Sequence, residues 1–535
     1  MNHKKILATT GFLVFLLVLG SYPVAQVFSL GISHNATFLP AADSDYCTLI
    51  GGDAQEDATK ITFDNSGSVI LIGQTQSSDF PATDGALQEI FGGGDWDAFV
   101  AKFSESGDLL WATYLGGSGY EHVTSVNCDA ANNILLSGTT GSPNFHISED
   151  AYQSTIAGSF DGFITKLAPN GTLLYSSFIG GTGEDWIYGI EQDAEGNYLF
   201  GGWTTSGGLA TTGAYKETIS NADIFAGRLS SDGRDIEMFS YLGGSSPDRG
   251  WAMTVDAEYN YVLSGITESS DLPTTSNAFQ SEYGGSVDSY LAVLAYNGST
   301  LLYLTYVGGS DEDMGLVDVD SNGNYLLAGP TKSDDISVVN AFQDEYAGGL
   351  YDSYVAKFAP NGEVVFLSYL GGNRTDRTWD VRATPDDTIV MVGRTNSDDF
   401  PTMNARQLTR AGDYDAYATE ISEDGSEILR SGLVGGSNED IGEGIAIDTD
   451  GSIVISGRAS SANFPTTDGA YQEDYAGGRD VFVCHNIFDV QTTSGTDTTP
   501  TENQPPLDGI DILPVLIVIS ISLAVIVIIV LKLRK

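Results

Sequence analysis

The chain has 535 residues, with 23 Lys or Arg against 72 Asp or Glu, a formal net charge of −49. Such acidity excludes nonspecific nucleic-acid binding, which needs a cationic surface against phosphate, while an aromatic content of 10% excludes an acidic disordered chain. Three cysteines are too few for a disulfide-built scaffold and leave room for one cross-link.

In chain order, Lys4 and Lys5 precede an apolar stretch over residues 6–19 and a small, polar exit near Ser29, the pattern of a secretory signal peptide over residues 1–29. A hydrophobic residue followed by Gly-Gly then recurs, with the first glycine at 51, 116, 180, 243, 308, 371 and 435. A fixed period of this size is the mark of a repeat architecture. In the second copy an acidic residue is followed by strand-like runs over 124–128, 134–140, 162–167 and 172–179, rich in β-branched and aromatic residues and separated by two tight turns and one long polar connection. Four antiparallel strands per repeat make one propeller blade; solenoid repeats are usually shorter. The expected fold is all-β, a single seven-bladed β-propeller of four-stranded antiparallel blades over residues 43–488.

The seventh copy stops after residues 480–484 without a fourth strand, and residues 46–50, ahead of the first Gly-Gly, match 111–115. The N-terminal strand is therefore expected to complete the last blade. Beyond the ring, residues 489–511 read as a Thr/Pro-rich stalk, possessing almost no apolar residues in the stretch 492–506. Residues 512–531 are uncharged and rich in Ile, Val and Leu, long enough as a helix to cross a bilayer. Lys532, Arg534 and Lys535 follow, so residues 532–535 are expected in the cytoplasm and the propeller outside the cell membrane.

The repeats resemble the SBBP family, named for a seven-bladed β-propeller. The resemblance is carried by Tyr114-Leu-Gly-Gly-Ser118, Ser78-Asp-Phe-Pro81, Gly85-Ala-Leu-Gln88 and Gly94-Asp-Trp-Asp-Ala-Phe-Val-Ala-Lys-Phe103. The Phe-Pro element is clear at Phe80, Phe400 and Phe464, is Leu272-Pro273 in the fourth copy, and is lost in the second, third and fifth. The resemblance implies the fold and an extracellular placement, and it implies no common reaction.

Glycine recurs on the second strand at 73, 138, 202, 265, 329, 393 and 457, read here as a point where blades converge on the axis and leave no room for a side chain. A first acidic ring follows each Gly-Gly: Glu56, Glu121, Asp185, Asp248, Asp313, Asp376 and Asp440. A second opens each third strand: Asp97, Asp161, Asp223, Asp288, Asp352, Asp415 and Asp480. A need met once per blade favours turn-fixing through backbone N–H groups; the sharper alternative is calcium, held by paired carboxylates and loop carbonyls. A ligand site should break the sevenfold pattern, and the position after the first ring does so, as Asp57, His122, Trp186, Arg249, Met314, Arg377 and Ile441. Of these, His122, Trp186, Arg249 and Arg377 are the candidate ligand contacts.

Cys47 falls on the imported strand and Cys484 on the third strand of the last blade, at positions equivalent to Ala112 and Ala101, so a cross-strand disulfide locking the ring is expected, with Cys128 free. No His pair has metal-ligand spacing and no nucleophile motif is present. The expectation is thus a membrane-anchored extracellular surface for protein, glycan or cation partners. The alternatives are a surface carbohydrate-active lyase or hydrolase with carboxylates at the channel mouth, and a structural component of the cell envelope.

Overall fold

Each repeat folds as the meander its strand-length runs predict. In the computed structural model, which describes residues 45–488, the second repeat forms strands Glu121–Cys128, Ile134–Thr140, Asp161–Leu167 and Leu173–Ile179, hydrogen-bonded in that order. Seven such four-stranded antiparallel sheets are present among the described residues. Blades 1 to 6 cover residues 56–115, 121–179, 185–242, 248–307, 313–370 and 376–434, and blade 7 combines 440–485 with 47–50. The first strand of each blade touches the first strands of its two neighbours, and that of blade 7 touches that of blade 1. These first strands therefore surround the axis, and the ring is closed.

Closure rests on the strand supplied from the N-terminal side. Cys47–Ile50 pairs antiparallel with Asp480–His485 in the register Cys47↔Cys484 and Ile50↔Val481. The two sulfurs are bonded, joining residues 437 apart in sequence, and Cys128 is a free thiol. Ala101↔Ala112 occupies the corresponding register in blade 1.

The blades stack face to face, so both faces of the middle strands are covered. All seven residues of Ile134–Thr140 are buried, as are those of Asp97–Phe103. Each core cluster is built across a junction: Ile70, Ile72 and Val100 of blade 1 meet Val123, Leu136 and Phe163 of blade 2. The outer strands reach solvent with apolar side chains at Leu110, Leu174 and Leu302. The Phe-Pro phenylalanines pack on the third-strand aromatic, Phe80 on Phe99 at 4.6 Å and Phe400 on Tyr417 at 4.7 Å between ring centroids. Where the Phe-Pro pair is lost the pocket stays filled, by Phe145 on Phe163 at 4.7 Å in blade 2 and by buried Ile336 in blade 5.

Two details differ from the sequence reading. The inner strand of blade 2 begins at Glu121, three residues before the expected 124, because the acidic residue itself is paired, with Thr140. The inner strand of blade 5 is short, Leu316–Val319. Among the described residues no helix is long and apolar enough to cross a membrane; the expected signal peptide 1–29, stalk 489–511, span 512–531 and tail 532–535 lie outside them.

Candidate functional site

Both acidic rings sit where one blade hands over to the next, and every member is buried. A carboxylate of the first ring accepts the N–H of the second glycine of its Gly-Gly in all seven copies. It also accepts hydroxyls from a Thr-x-Ser at the end of the second strand, which the sequence reading missed although it recurs in every copy with Ala459 as its one departure. Asp248 shows the full set, with Gly244 N at 2.7 Å, Thr267 Oγ1 at 2.5 Å and Ser269 Oγ at 2.9 Å. The second ring fixes the long loop: Asp288 accepts from Gly284 N at 2.7 Å, Gly285 N at 3.2 Å and Gln280 Nε2 at 3.3 Å. In blade 3 that glutamine is replaced by Lys216, whose ammonium lies 2.6 Å from Asp223.

The two rings meet in pairs across the first glycine. A Cβ on Gly51 would lie 2.6 Å from Asp480 Oδ1 and 2.7 Å from Glu56 Oε2, so only glycine fits between them. One oxygen each of Asp97, Asp223, Asp352, Asp376 and Asp480 is buried with no protein partner. Burial pushes Glu56 and Asp313 up to about 7, Asp248, Asp376, Asp288, Asp415 and Asp480 up to about 6, and Asp352 up to about 8. Asp97 also reaches about 7, through burial opposed by its Gly92 hydrogen bond and then through the neighbouring charge of Glu121. Among the described residues no three His, Cys, Asp or Glu side chains are grouped to hold a metal ion. The ring carboxylates accept hydrogen bonds from backbone N–H groups and from neighbouring Thr, Ser and Gln side chains.

The second-strand glycines have a different cause from the one expected. A Cβ at Gly73, Gly138, Gly202, Gly265, Gly329, Gly393 or Gly457 would strike a backbone carbonyl at 1.9 to 2.2 Å, that of Asp57, His122, Trp186, Arg249, Met314, Arg377 or Ile441, on the inner strand or, for Met314, just ahead of it. Crowding by this carbonyl, and not convergence on the axis, excludes a side chain. In six blades the carbonyl lies just before a β-bulge, where the register skips one inner-strand residue. The skipped residues are Thr59, Thr124, Tyr188, Trp251, Trp379 and Glu443, and a bulge re-aims the side chain it carries. All six line a cavity of about 330 Å³, together with Ala58, Lys60, His122 and Leu316. Every inner strand contributes, so this cavity is the central channel.

The structure distributes the four candidate contacts as follows. His122 lines the cavity, and its ring lies 6.2 Å from that of Trp186. Burial lowers the imidazole to about 4, Asp57 opposing, so it is neutral, and its Nδ1 has no partner. Trp186 stacks on its cross-strand partner Trp203 at 5.7 Å and 10°, and Arg249 lies over Trp203 at 5.6 Å. Arg377 stands apart, in blade 6, over Trp379 at 4.7 Å and Tyr351 at 4.4 Å.

Sequence reasoning missed Tyr188, Trp251, Trp379 and Glu443. The signal was present, since same-face residues on a strand are two apart and these stand two beyond Trp186, Arg249, Arg377 and Ile441. It also missed a charged cluster along the inner strands. Lys60 and Asp380 approach to 2.6 Å, Arg382 lies 3.5 Å from Asp318, and Asn127 donates to Glu191 at 2.5 Å. These side chains come from five blades. Burial pushes Glu191 to about 7 against the pull of Arg382. In the cavity itself Glu443 is also raised to about 7 by burial, Arg458 opposing at 3.3 Å.

The fold thus defines the molecule as a seven-bladed β-propeller with a closed ring and an asymmetric, aromatic-lined channel. No family model matches the chain, and no curated protein matches it. Among solved structures it is similar to a protein of unknown function from Dyadobacter fermentans DSM 18053, with 9% identity and a TM-score of 0.37 over 83% of this chain and 98% of that one.

Proposed function

We propose that the protein is a membrane-anchored, extracellular propeller of the SBBP kind that binds carbohydrate in its central channel. One observation carries the reading: four of the six tryptophans, Trp186, Trp203, Trp251 and Trp379, gather on the inner two strands with Tyr188. Three of these five aromatic residues, Tyr188, Trp251 and Trp379, line the cavity directly. Flat aromatic faces with a polar edge suit sugar rings, which present an apolar face and a rim of hydroxyls. Thr59, Lys60, His122, Thr124 and Glu443 also line the cavity, and their side chains are of the kind that hydrogen-bond such a rim. The external placement is supported by the uncharged residues 512–531 followed by Lys532, Arg534 and Lys535.

A glycan array probed with the full-length protein tests this. Binding to a defined set of glycans, lost in Trp251→Ala and Trp379→Ala while the melting temperature holds, is the expected result. Binding unaffected by either change would assign recognition to another surface. A second reading, a carbohydrate-active enzyme, is favoured by Glu443 alone, a cavity carboxyl held near 7 where a general acid works. Product release from an array-positive glycan, absent in Glu443→Gln, would move the assignment from binder to enzyme.

A further inference from the structure

Among the described residues Arg377 is the one Lys or Arg with no carboxylate within ion-pair distance. Its guanidinium meets the rings of Tyr351 and Trp379 and the sulfur of Met314 at 3.7 Å. In a chain with 72 acidic residues an arginine ordinarily finds a counter-charge, and the neighbouring arginines do: Arg374 with Asp398, Arg382 with Asp318, Arg394 with Glu439 and Arg410 with Asp398. The acid beside Tyr351 is already taken, since Glu312 binds Lys332 at 2.5 Å and accepts the Tyr351 hydroxyl at 3.1 Å. Arg377 is also the direct cross-strand partner of Arg394, and like charges placed opposite each other destabilise a sheet. The two aromatic faces hold the guanidinium in place, yet its charge meets no carboxylate and its buried Nε no acceptor.

Position supplies the reason. The guanidinium covers Trp379, whose side chain lines the channel cavity, so an anion held there would lie beside a sugar stacked in the channel. The Trp186/Trp203 pair belongs to blade 3 and Arg377 to blade 6, on opposite sides of a ring of seven. A ligand reaching across the mouth would meet aromatic faces on one side and a cation without an ion-pair partner on the other. The guanidinium fork matches a carboxylate in two parallel hydrogen bonds.

We propose that Arg377 binds a carboxylate on the ligand, which makes the ligand an acidic carbohydrate of the uronic-acid class; this rests on the reading of the channel as a carbohydrate site. The experiment is calorimetric titration of the full-length protein with oligomers of galacturonate, glucuronate and mannuronate, each beside its carboxyl-reduced counterpart. Wild type is expected to prefer an acidic oligomer by roughly tenfold to a hundredfold, the range for a hydrogen bond to a charged group. Arg377→Gln removes that preference and leaves the affinity for the reduced sugar in place, while Arg377→Lys keeps part of it, with thermal melting confirming that both variants fold. Equal binding of acidic and reduced forms, or a preference that survives Arg377→Gln, overturns the role of Arg377 and leaves the carbohydrate site standing. Binding of none of the six overturns both.

Discussion

At each junction between blades a buried carboxyl group replaces what a loop would otherwise draw from water. Asp313 accepts the Gly309 N–H at 2.7 Å and the Ser333 hydroxyl at 2.8 Å, and bonds Thr331 as well. Leaving buried donors unmet costs about 1–3 kcal/mol each, so Asp313→Ala is expected to lower stability by about 2–4 kcal/mol. Asp313→Asn keeps an acceptor oxygen and, with the native carboxyl pushed to about 7, resembles its protonated form. It is expected to cost less than half as much, as read from urea unfolding midpoints. Equal losses would mean that the charge, and not the acceptor, holds the crossover. The rings were legible in the sequence because a need met once per blade leaves seven copies. The orphan oxygens were not, since they arise where two blades meet across one glycine. Nor was the cause of Gly73 and its equivalents, because the carbonyl that excludes a side chain belongs to the neighbouring strand.

The element that links fold to site is the β-bulge on the inner strand. By inserting one residue it turns Tyr188, Trp251 and Trp379 into the channel, and the glycine opposite admits the displaced carbonyl. Blade 5 lacks the bulge, and its sequence says so, with one residue fewer between Asp313 and Gly329 than between Asp248 and Gly265. Replacing Gly265 by Ala would place a methyl 2.0 Å from the Arg249 carbonyl and is expected to destabilise blade 4 and displace Trp251. Loss of both melting temperature and ligand-induced tryptophan quenching is the readout. The strand count and the Cys47↔Cys484 register were readable because period and register are properties of the chain itself. The charged cluster of Lys60, Asp318, Asp380, Arg382 and Glu191 was not, since its members are brought together only by the ring. For the closing strand, Cys47→Ala is expected to cost about 2–5 kcal/mol, the usual loss for a native disulfide, and to abolish the gel-mobility change that reduction produces in wild type. An unchanged melting temperature would show that the hydrogen-bonded strand alone closes the ring.

For the whole molecule, pH and net charge act together. Glu56, Asp97, Asp248, Asp288, Asp313, Asp352, Asp376, Asp415 and Asp480 all sit above their ordinary range, at about 6 to 8. Against unfolded values near 4, the native state binds more protons across that window, so their contribution favours folding at low pH and declines as pH rises through it. Asp64, Asp129, Asp193 and Asp320 behave oppositely. Burial alone would raise them, but hydrogen bonds from Lys102, Lys166, Tyr296 and Lys357, with those from neighbouring turn groups, outweigh it and hold them below the ordinary value. Their contribution is present above about 4 and lost as pH falls further. The melting temperature is therefore expected to be higher at pH 5 than at pH 8 and to fall again below about pH 4, a trend that the net charge of −49 reinforces on the alkaline side. With the rings committed to backbone donors, added calcium is expected to leave the melting temperature unmoved; a rise would return the carboxylate pairs to a cation-binding role.

Tryptophan fluorescence measures the central claim most directly, because two of the six tryptophans, Trp251 and Trp379, line the channel and two more, Trp186 and Trp203, stand on the inner two strands of blade 3. Titrating the full-length protein with an oligosaccharide is expected to give saturable quenching or a spectral shift, with Trp251→Ala and Trp379→Ala each reducing both signal and affinity. Saturable binding detected by calorimetry with no change in tryptophan emission would contradict it, since the sugar would then be held away from the channel.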